Sequence, residues 1–163
     1  MNEEWTAQQM DCEPPIATPP TRNCVVGRIA CGDTVEGNTS AGKQRYNDRF
    51  FVGAKCTPMR MDYELASEIN YRLRLPANTE ATVKLISDCG DLDLYAFRWE
   101  DKSSCPSNLH YDRILECEMD TSPRGGEIKL SSVGKDGNYL VGVDGKKGAT
   151  GNYRISVQCR TYR

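Results

Sequence analysis

Asp88, Asp91 and Asp93 stand in one short run, Ser87-Asp88-Cys89-Gly90-Asp91-Leu92-Asp93-Leu94, the densest carboxylate cluster of the chain. Acidic residues in a glycine-containing loop can supply the hard oxygen ligands that Ca²⁺ prefers. Their spacing is not that of an EF-hand, and Leu92 and Leu94 read as core. The other reading is a solvated acidic turn in which Asp93 hydrogen-bonds loop backbone and holds a sheet edge. Ca²⁺ is the one cofactor these residue types suggest. Immediately afterwards Tyr95, Phe97 and Trp99 fall on the face opposite Leu92, Leu94 and Ala96, so one strand carries two apolar sides. An exposed aromatic strip of this kind would bind a sugar ring or a partner surface. A central strand packed on both faces, or covered by the residues that follow, gives the same pattern.

Catalytic constellations are harder to assemble. His110 is the sole histidine, so a Ser-His-Asp triad would have to use it. No GxSxG elbow, HExxH helix or phosphate-cradling glycine loop occurs. A carboxylate-pair glycosidase stays open in principle, because any two of 23 acidic residues would qualify. A sandwich on short turns has little room for a deep cleft, however, and the expectation is a chain with no catalytic residues. Asp144, in Val143-Asp144-Gly145, reads as a turn residue that caps backbone two positions on. Asn38-Thr39-Ser40 is a glycosylation sequon, relevant in a eukaryotic source.

The eight cysteines set the compartment: Cys12, Cys24, Cys31, Cys56, Cys89, Cys105, Cys117 and Cys159. They are even in number, scattered, and lack the close pairs a zinc site needs. That pattern belongs to disulfides in an oxidising compartment, secreted or at a cell surface. Met1 to Trp5 is polar and acidic and does not read as a signal peptide, so a secreted protein would have lost its leader. The net charge of −2, from 21 basic and 23 acidic residues, gives no basic field for nucleic acid and no polybasic cluster for a membrane. No apolar run approaches membrane-spanning length, so neither nucleic acid nor membrane insertion is expected.

The elements that must position these groups are strands. Residues 137–159 alternate in two runs, Tyr139, Val141, Val143 and Tyr153, Ile155, Val157, each opening on Gly-Asn-Tyr. With Asp144-Gly145, Gly148 and Gly151 between them, they predict a closing β-hairpin. Residues 68–75 and 81–87 alternate as cleanly, as do 92–99. Further strands are expected at 31–39, 45–52 and 127–131, with a short one at 113–116 inside a cysteine-bearing insertion, 100–125. Residues 63–67 suggest one helical turn. Residues 1–29 hold four of the eight prolines in one stretch and read as an arm or linker, with the domain at 30–163. The arm has a second reading, as a segment donated to a neighbouring subunit. Eight or nine short antiparallel strands on glycine turns indicate an all-β, jelly-roll-like β-sandwich stapled by disulfides.

The order CGDTVEGNT, INYRLRLPANTEATVKL, DCGDLDLYAF and GNYLVGVDGKKGATGNYRISVQC resembles the bacterial pre-peptidase C-terminal domain family, to which collagen-binding domains of collagenases are related. The resemblance covers about residues 30–159. It implies a β-sandwich module appended to secreted proteases or found in other extracellular proteins. The Pro-rich arm and the lack of a protease domain depart from that pattern. In cysteine-bearing members a pair brackets the loop after the Asp-Leu-Tyr strand, where Cys105 and Cys117 sit.

Eight cysteines allow on the order of 100 pairings, and sequence does not choose among them. Topology favours Cys31–Cys159, joining the first and last strands, Cys105–Cys117 around the insertion, Cys12–Cys24 around the arm, and Cys56–Cys89 by remainder. The function expected from all this is a non-catalytic extracellular binding or accessory module for a matrix polymer, glycan or surface protein. The alternatives are a structural subunit that assembles with copies of itself, and a hydrolase with an unrecognised site.

Overall fold

In the strand Ile69–Leu75, Ile69, Tyr71, Leu73 and Leu75 are buried on one side while Asn70, Arg72 and Arg74 face the other. The same alternation recurs along the chain and sorts the strands into two layers. The computed structural model describes residues 10–56, 67–122 and 124–162, which hold nine strands: β1 (Gly27–Ile29), β2 (Thr34–Asn38), β3 (Ile69–Leu75), β4 (Thr79–Ile86), β5 (Leu92–Arg98), β6 (Cys117–Asp120), β7 (Gly125–Ser132), β8 (Gly137–Gly145) and β9 (Asn152–Thr161). One sheet has the order β1-β3-β8-β5-β6 and the other β2-β9-β4-β7. The β1–β3 pair is parallel and every other pair is antiparallel. The inner faces meet in one core that includes Leu73, Leu94, Val141, Val83, Leu130 and Ile155. This is the all-β sandwich that the alternation predicts.

The closing hairpin is not there. β8 pairs with β3 on one side and β5 on the other, whereas β9 lies in the opposite sheet between β2 and β4. Both edges of β8 are thus occupied, and residues 146–151 carry the chain across from sheet to sheet. Residues 45–52 are not a strand either. Asn47 caps a helix, α1 (Asp48–Gly53), by accepting from the Phe50 amide at 3.0 Å. Phe50 and Phe51 are both fully buried, which a strand exposed on one face would not allow. In the insertion, a 3₁₀ helix occupies Asn108–Arg113 and the strand starts later than expected, at Cys117. Residues 63–66 of the expected helical turn lie outside the described residues.

Four disulfides close the molecule: Cys12–Cys89, Cys24–Cys105, Cys31–Cys159 and Cys56–Cys117. Cys31 and Cys159 are joined because β9 returns beside the start of β2. The other three differ from the sequence expectation. Cys105 is bonded to Cys24 and not Cys117, Cys12 to Cys89 and not Cys24, and Cys56 to Cys117 and not Cys89. The physical reason is common to all three. Cys105–Cys117 and Cys12–Cys24 would close local loops and Cys56–Cys89 is only what they leave over, but the arm and the insertion fold back over the sandwich and are fastened across it. Residues 10–29 show this directly. The Ile16 amide donates to Asn152 Oδ1 at 2.9 Å, the Asn38 amide donates to Thr18 Oγ1 at 2.7 Å, and β1 joins the sheet. All eight cysteines are oxidised, which requires an oxidising compartment. Among the described residues no helix is long and apolar enough to cross a membrane.

Candidate functional site

The outer face of the five-stranded sheet carries nearly every residue of chemical interest. Strand register lays them in rows across β3, β8 and β5: Glu68 (one position before β3), Asp144 and Asp93; then Asn70, Gly142 and Tyr95; then Arg72, Leu140 and Phe97. Half of this face is roofed by α1 and by the insertion, and half is open.

Under the roof lies an acidic row. Glu68, Asp93 and Asp144 are buried. Glu68 and Asp144 hydrogen-bond through their side chains, and burial pushes both carboxyls up, Asp144 further under the influence of Glu68. Two carboxyls in hydrogen-bond contact must share a proton, so at least one of the pair is neutral in the folded protein. Glu68 Oε1 accepts from the Tyr46 amide at 2.8 Å and Asp144 Oδ1 from the Gly145 amide at 2.8 Å. Asp144 is therefore a strand residue facing Glu68, not a turn cap. Lys146 completes the row. Its ammonium lies 3.4 Å from Asp93 and 3.5 Å from Asp91, and donates to the Thr121 carbonyl at 3.1 Å.

That lysine answers the calcium expectation. Asp88, Asp91 and Asp93 do not converge on a cation site, and among the described residues no group of three or more ligating side chains does. The positive charge beside Asp91 and Asp93 is an ammonium, while Asp88 accepts from the Met10 amide at 3.2 Å. The aromatic strip is also covered. Tyr95 and Phe97 are fully buried and Trp99 is 5 % exposed. Phe51 packs on Tyr95 at 5.1 Å and Tyr46 and Phe50 pack on Phe97 at 5.6 and 5.4 Å. Trp99 is stacked on His110, lies under the Arg113 guanidinium and donates to the Ser104 carbonyl at 3.0 Å. His110 itself accepts from the Ser107 amide through Nδ1. Asn38, the sequon residue, is buried too. Its amide donates to Asn152 Oδ1 at 2.8 Å and its carbonyl oxygen accepts from Ser40, so the nitrogen a glycan would need is engaged.

Gly142 explains how Tyr95 lies flat under this roof. A Cβ there would collide with the Tyr95 ring and with Asn70 Oδ1, so only glycine lets the phenol reach across β8 to hydrogen-bond Asn70.

The open half begins where the roof ends. Arg28 on β1 stands beside Arg72 on β3 in parallel register, on the same face, with Arg74 two positions along. Arg22 and Lys102 close the group from the arm and the insertion. These residues line two adjoining depressions of ≈ 460 and ≈ 360 Å³ that share Arg28, Arg72 and Lys102. The groove runs from Pro19, Pro20 and Arg22 past β1 to Asn138 and Tyr139. A tight turn supports one wall. The Arg22 and Val25 backbones exchange two hydrogen bonds around Asn23 and Cys24, both left-handed at φ 51° and 66°. The Cys24–Cys105 bond and an Asn23 side-chain bond to the Ser103 carbonyl tie that turn to the insertion.

The carboxylates around the groove are already engaged. Arg74 pairs with Asp136, Asp33 accepts from the Ala30 amide at 2.8 Å, and Asp101 binds Ser103 and Ser104. The Ser104 hydroxyl and the Ser103 amide and hydroxyl hold the Asp101 carboxyl down at about 2. Arg72 donates to the Ser104 carbonyl at 2.8 Å, and partial burial lowers its guanidinium below the ordinary value, with Asp101 opposing. Arg22, Arg28 and Lys102 form no ion pair with a described carboxylate. Sequence reasoning missed this group because its members come from four separated segments. Only Arg72 and Arg74, alternating on the polar side of residues 69–75, gave a signal.

No protein-family model and no curated protein matches the chain. Among solved structures it is similar to the pre-peptidase C-terminal domain of a collagenase from Bacillus anthracis, at 12% identity and a TM-score of 0.47, covering 85% of this chain and 100% of that one. It is also similar to a periplasmic inhibitor of g-type lysozyme from Aeromonas hydrophila, at 14% identity and a TM-score of 0.45, covering 90% of this chain and 98% of that one.

Proposed function

We propose that the chain is a non-catalytic, secreted or surface-displayed binding module, and that it meets its target in the groove beside β1. The observation that carries this reading is the group of three cations, Arg22, Arg28 and Lys102, without carboxylate partners on walls locked by Cys24–Cys105. Unneutralised charge gathered in one concave place costs self-repulsion, and a rigid frame that maintains it has a reason in recognition. The carboxyl pair that a hydrolase would recruit, Glu68 with Asp144, is sealed from solvent and serves the frame.

An array of neutral and charged glycans and matrix proteins tests the reading, run with and without EDTA on the oxidised protein. The expected result is a hit that survives EDTA and is lost in the double variant Arg22→Glu/Arg28→Glu. A hit indifferent to that change would move the function elsewhere, and no hit at all would remove the support for a binding module.

A further inference from the structure

Resting on that reading, we infer that the groove takes an extended acidic polysaccharide, a chain bearing carboxylate or sulfate groups on successive sugars. The argument starts from which cations are present. Four of the five are arginines, three of them (Arg22, Arg28 and Arg72) without a carboxylate in ion-pair contact among the described residues, and their planar forks match carboxylate and sulfate oxygens two at a time. Their placement turns a corner, running across the strands from Arg28 to Arg72 and then along β3 from Arg72 to Arg74. Arg28 and Arg72 sit on neighbouring strands about 5 Å apart, and Arg72 and Arg74 are about 7 Å apart along one strand. Arg22 stands at the proline end, and Lys102 borders both depressions. Cations spread over both arms of that bend fit several anions carried on one chain better than one compact dianion.

Shape points the same way. The two depressions adjoin and share three residues, which makes one track and not an isolated cup. Pro19, Pro20, Val25 and Val26 give it apolar patches between the cations. Sugar rings present apolar C–H faces that such surfaces cover, while their charged substituents reach the guanidinia. An acidic peptide would gain most by adding a strand to the β1 edge. β1 has only three residues, too few for an ordinary strand pairing. A nucleic acid duplex needs a broader field than five cations on a protein of net charge −2.

The test measures binding of the oxidised full chain to four probes: a heparin oligosaccharide, an oligogalacturonate, neutral dextran and poly-glutamate. Each is titrated at about 50 mM and about 300 mM NaCl, because screening should weaken the contacts. The expected result is binding to at least one anionic polysaccharide that falls with salt. It should fall at least about tenfold in Arg28→Glu and in Lys102→Glu, and stay unchanged in Lys129→Glu, on the other sheet. The heparin and galacturonate arms separate sulfate from carboxylate as the recognised group. Failure of both anionic polysaccharides at low salt, tighter binding of poly-glutamate, or equal loss in Lys129→Glu would overturn the inference. Dextran binding abolished by Arg28→Glu would overturn the ligand class while leaving the groove as a binding site. Circular dichroism of each variant guards against loss of fold.

Discussion

Protonation of the buried Glu68–Asp144 pair should make this protein less stable as pH rises through neutrality. Burial pushes the Glu68 carboxyl up to about 8, and Asp144 is raised as well. In the unfolded chain both carboxyls ionise near their ordinary values, 4.5 and 3.8. Between about pH 5.5 and 7.5 the folded state therefore holds at least one proton more than the unfolded state. Stability is fully present below the unfolded values and is lost as pH climbs towards the raised folded value. The slope for one proton is about 1.4 kcal/mol per pH unit, so two units remove about 3 kcal/mol. The charged and titratable groups around the pair, Arg45, Tyr46, Asp93, Tyr95 and Lys146, are part of that environment.

Glu68→Gln isolates the effect. Its amide keeps an oxygen for the Tyr46 N–H and supplies a donor to Asp144, so no shared proton is needed. Urea unfolding under non-reducing conditions, followed by circular dichroism at pH 5.5, 6.5 and 7.5, gives stability at each pH. The wild type should lose about 3 kcal/mol across the range and the variant clearly less, keeping only the slope that burial of Asp144 supplies by itself. Carboxyls held low, such as Asp101 and Asp120, titrate below this window and do not blur it. A wild-type curve that is flat or rises, or an equal slope in Glu68→Gln, would refute the shared proton.

Three further outcomes are expected. Gly142→Ala should cost about 2–4 kcal/mol, because the new methyl meets the Tyr95 ring and breaks the Tyr95–Asn70 hydrogen bond; Gly27→Ala, with open space around it, should stay within about 0.5 kcal/mol in the same urea assay. Lys146→Met removes the ammonium from buried Asp93 and should cost about 3 kcal/mol, and added Ca²⁺ should not restore the melting temperature. Cys31→Ser/Cys159→Ser opens a disulfide spanning 128 residues and should cost about 5 kcal/mol by loop-closure entropy, measured as a shift in the urea midpoint.

Sequence legibility followed the range of the physics involved. Alternation is local, so 68–75 and 92–99 are readable as strands, and their inward residues as core. Partnership is not local. Tyr139 and Tyr153 begin matching runs, yet nothing in either run says that β8 lies between β3 and β5 while β9 lies in the other sheet. The same limit hid three disulfides, whose partners are 61 to 81 residues apart and meet only when the arm and insertion fold over the sheet. Phe50 and Phe51 misled in a different way. Adjacent aromatics favour a strand by propensity, but the Asn47 cap and burial of both rings against Tyr95 and Phe97 decided for a helix. Asp88, Asp91 and Asp93 looked like a cation site because they are close in sequence. The cation that matters to them, Lys146, arrives from the far end of β8.

The outer face of one sheet thus has two unlike halves, and Arg72 marks their boundary. On its covered side the rows are acidic and aromatic. There an aromatic roof covers a carboxyl pair that keeps its proton, and the Lys146 ammonium stands beside Asp91 and Asp93. On its open side the rows are basic, and the carboxylates within reach are already bound to backbone, serine hydroxyls or Arg74. Arg72 is fixed by the Ser104 carbonyl, beside the Cys24–Cys105 bond that ties the arm to the insertion. The bond that helps close the roof therefore also sets the wall of the groove. Breaking it with Cys24→Ser/Cys105→Ser should loosen groove affinity before it unfolds the sandwich, since the inter-sheet core and Cys31–Cys159 are untouched. Affinity and circular dichroism followed together in that variant would separate the proposed binding from the fold.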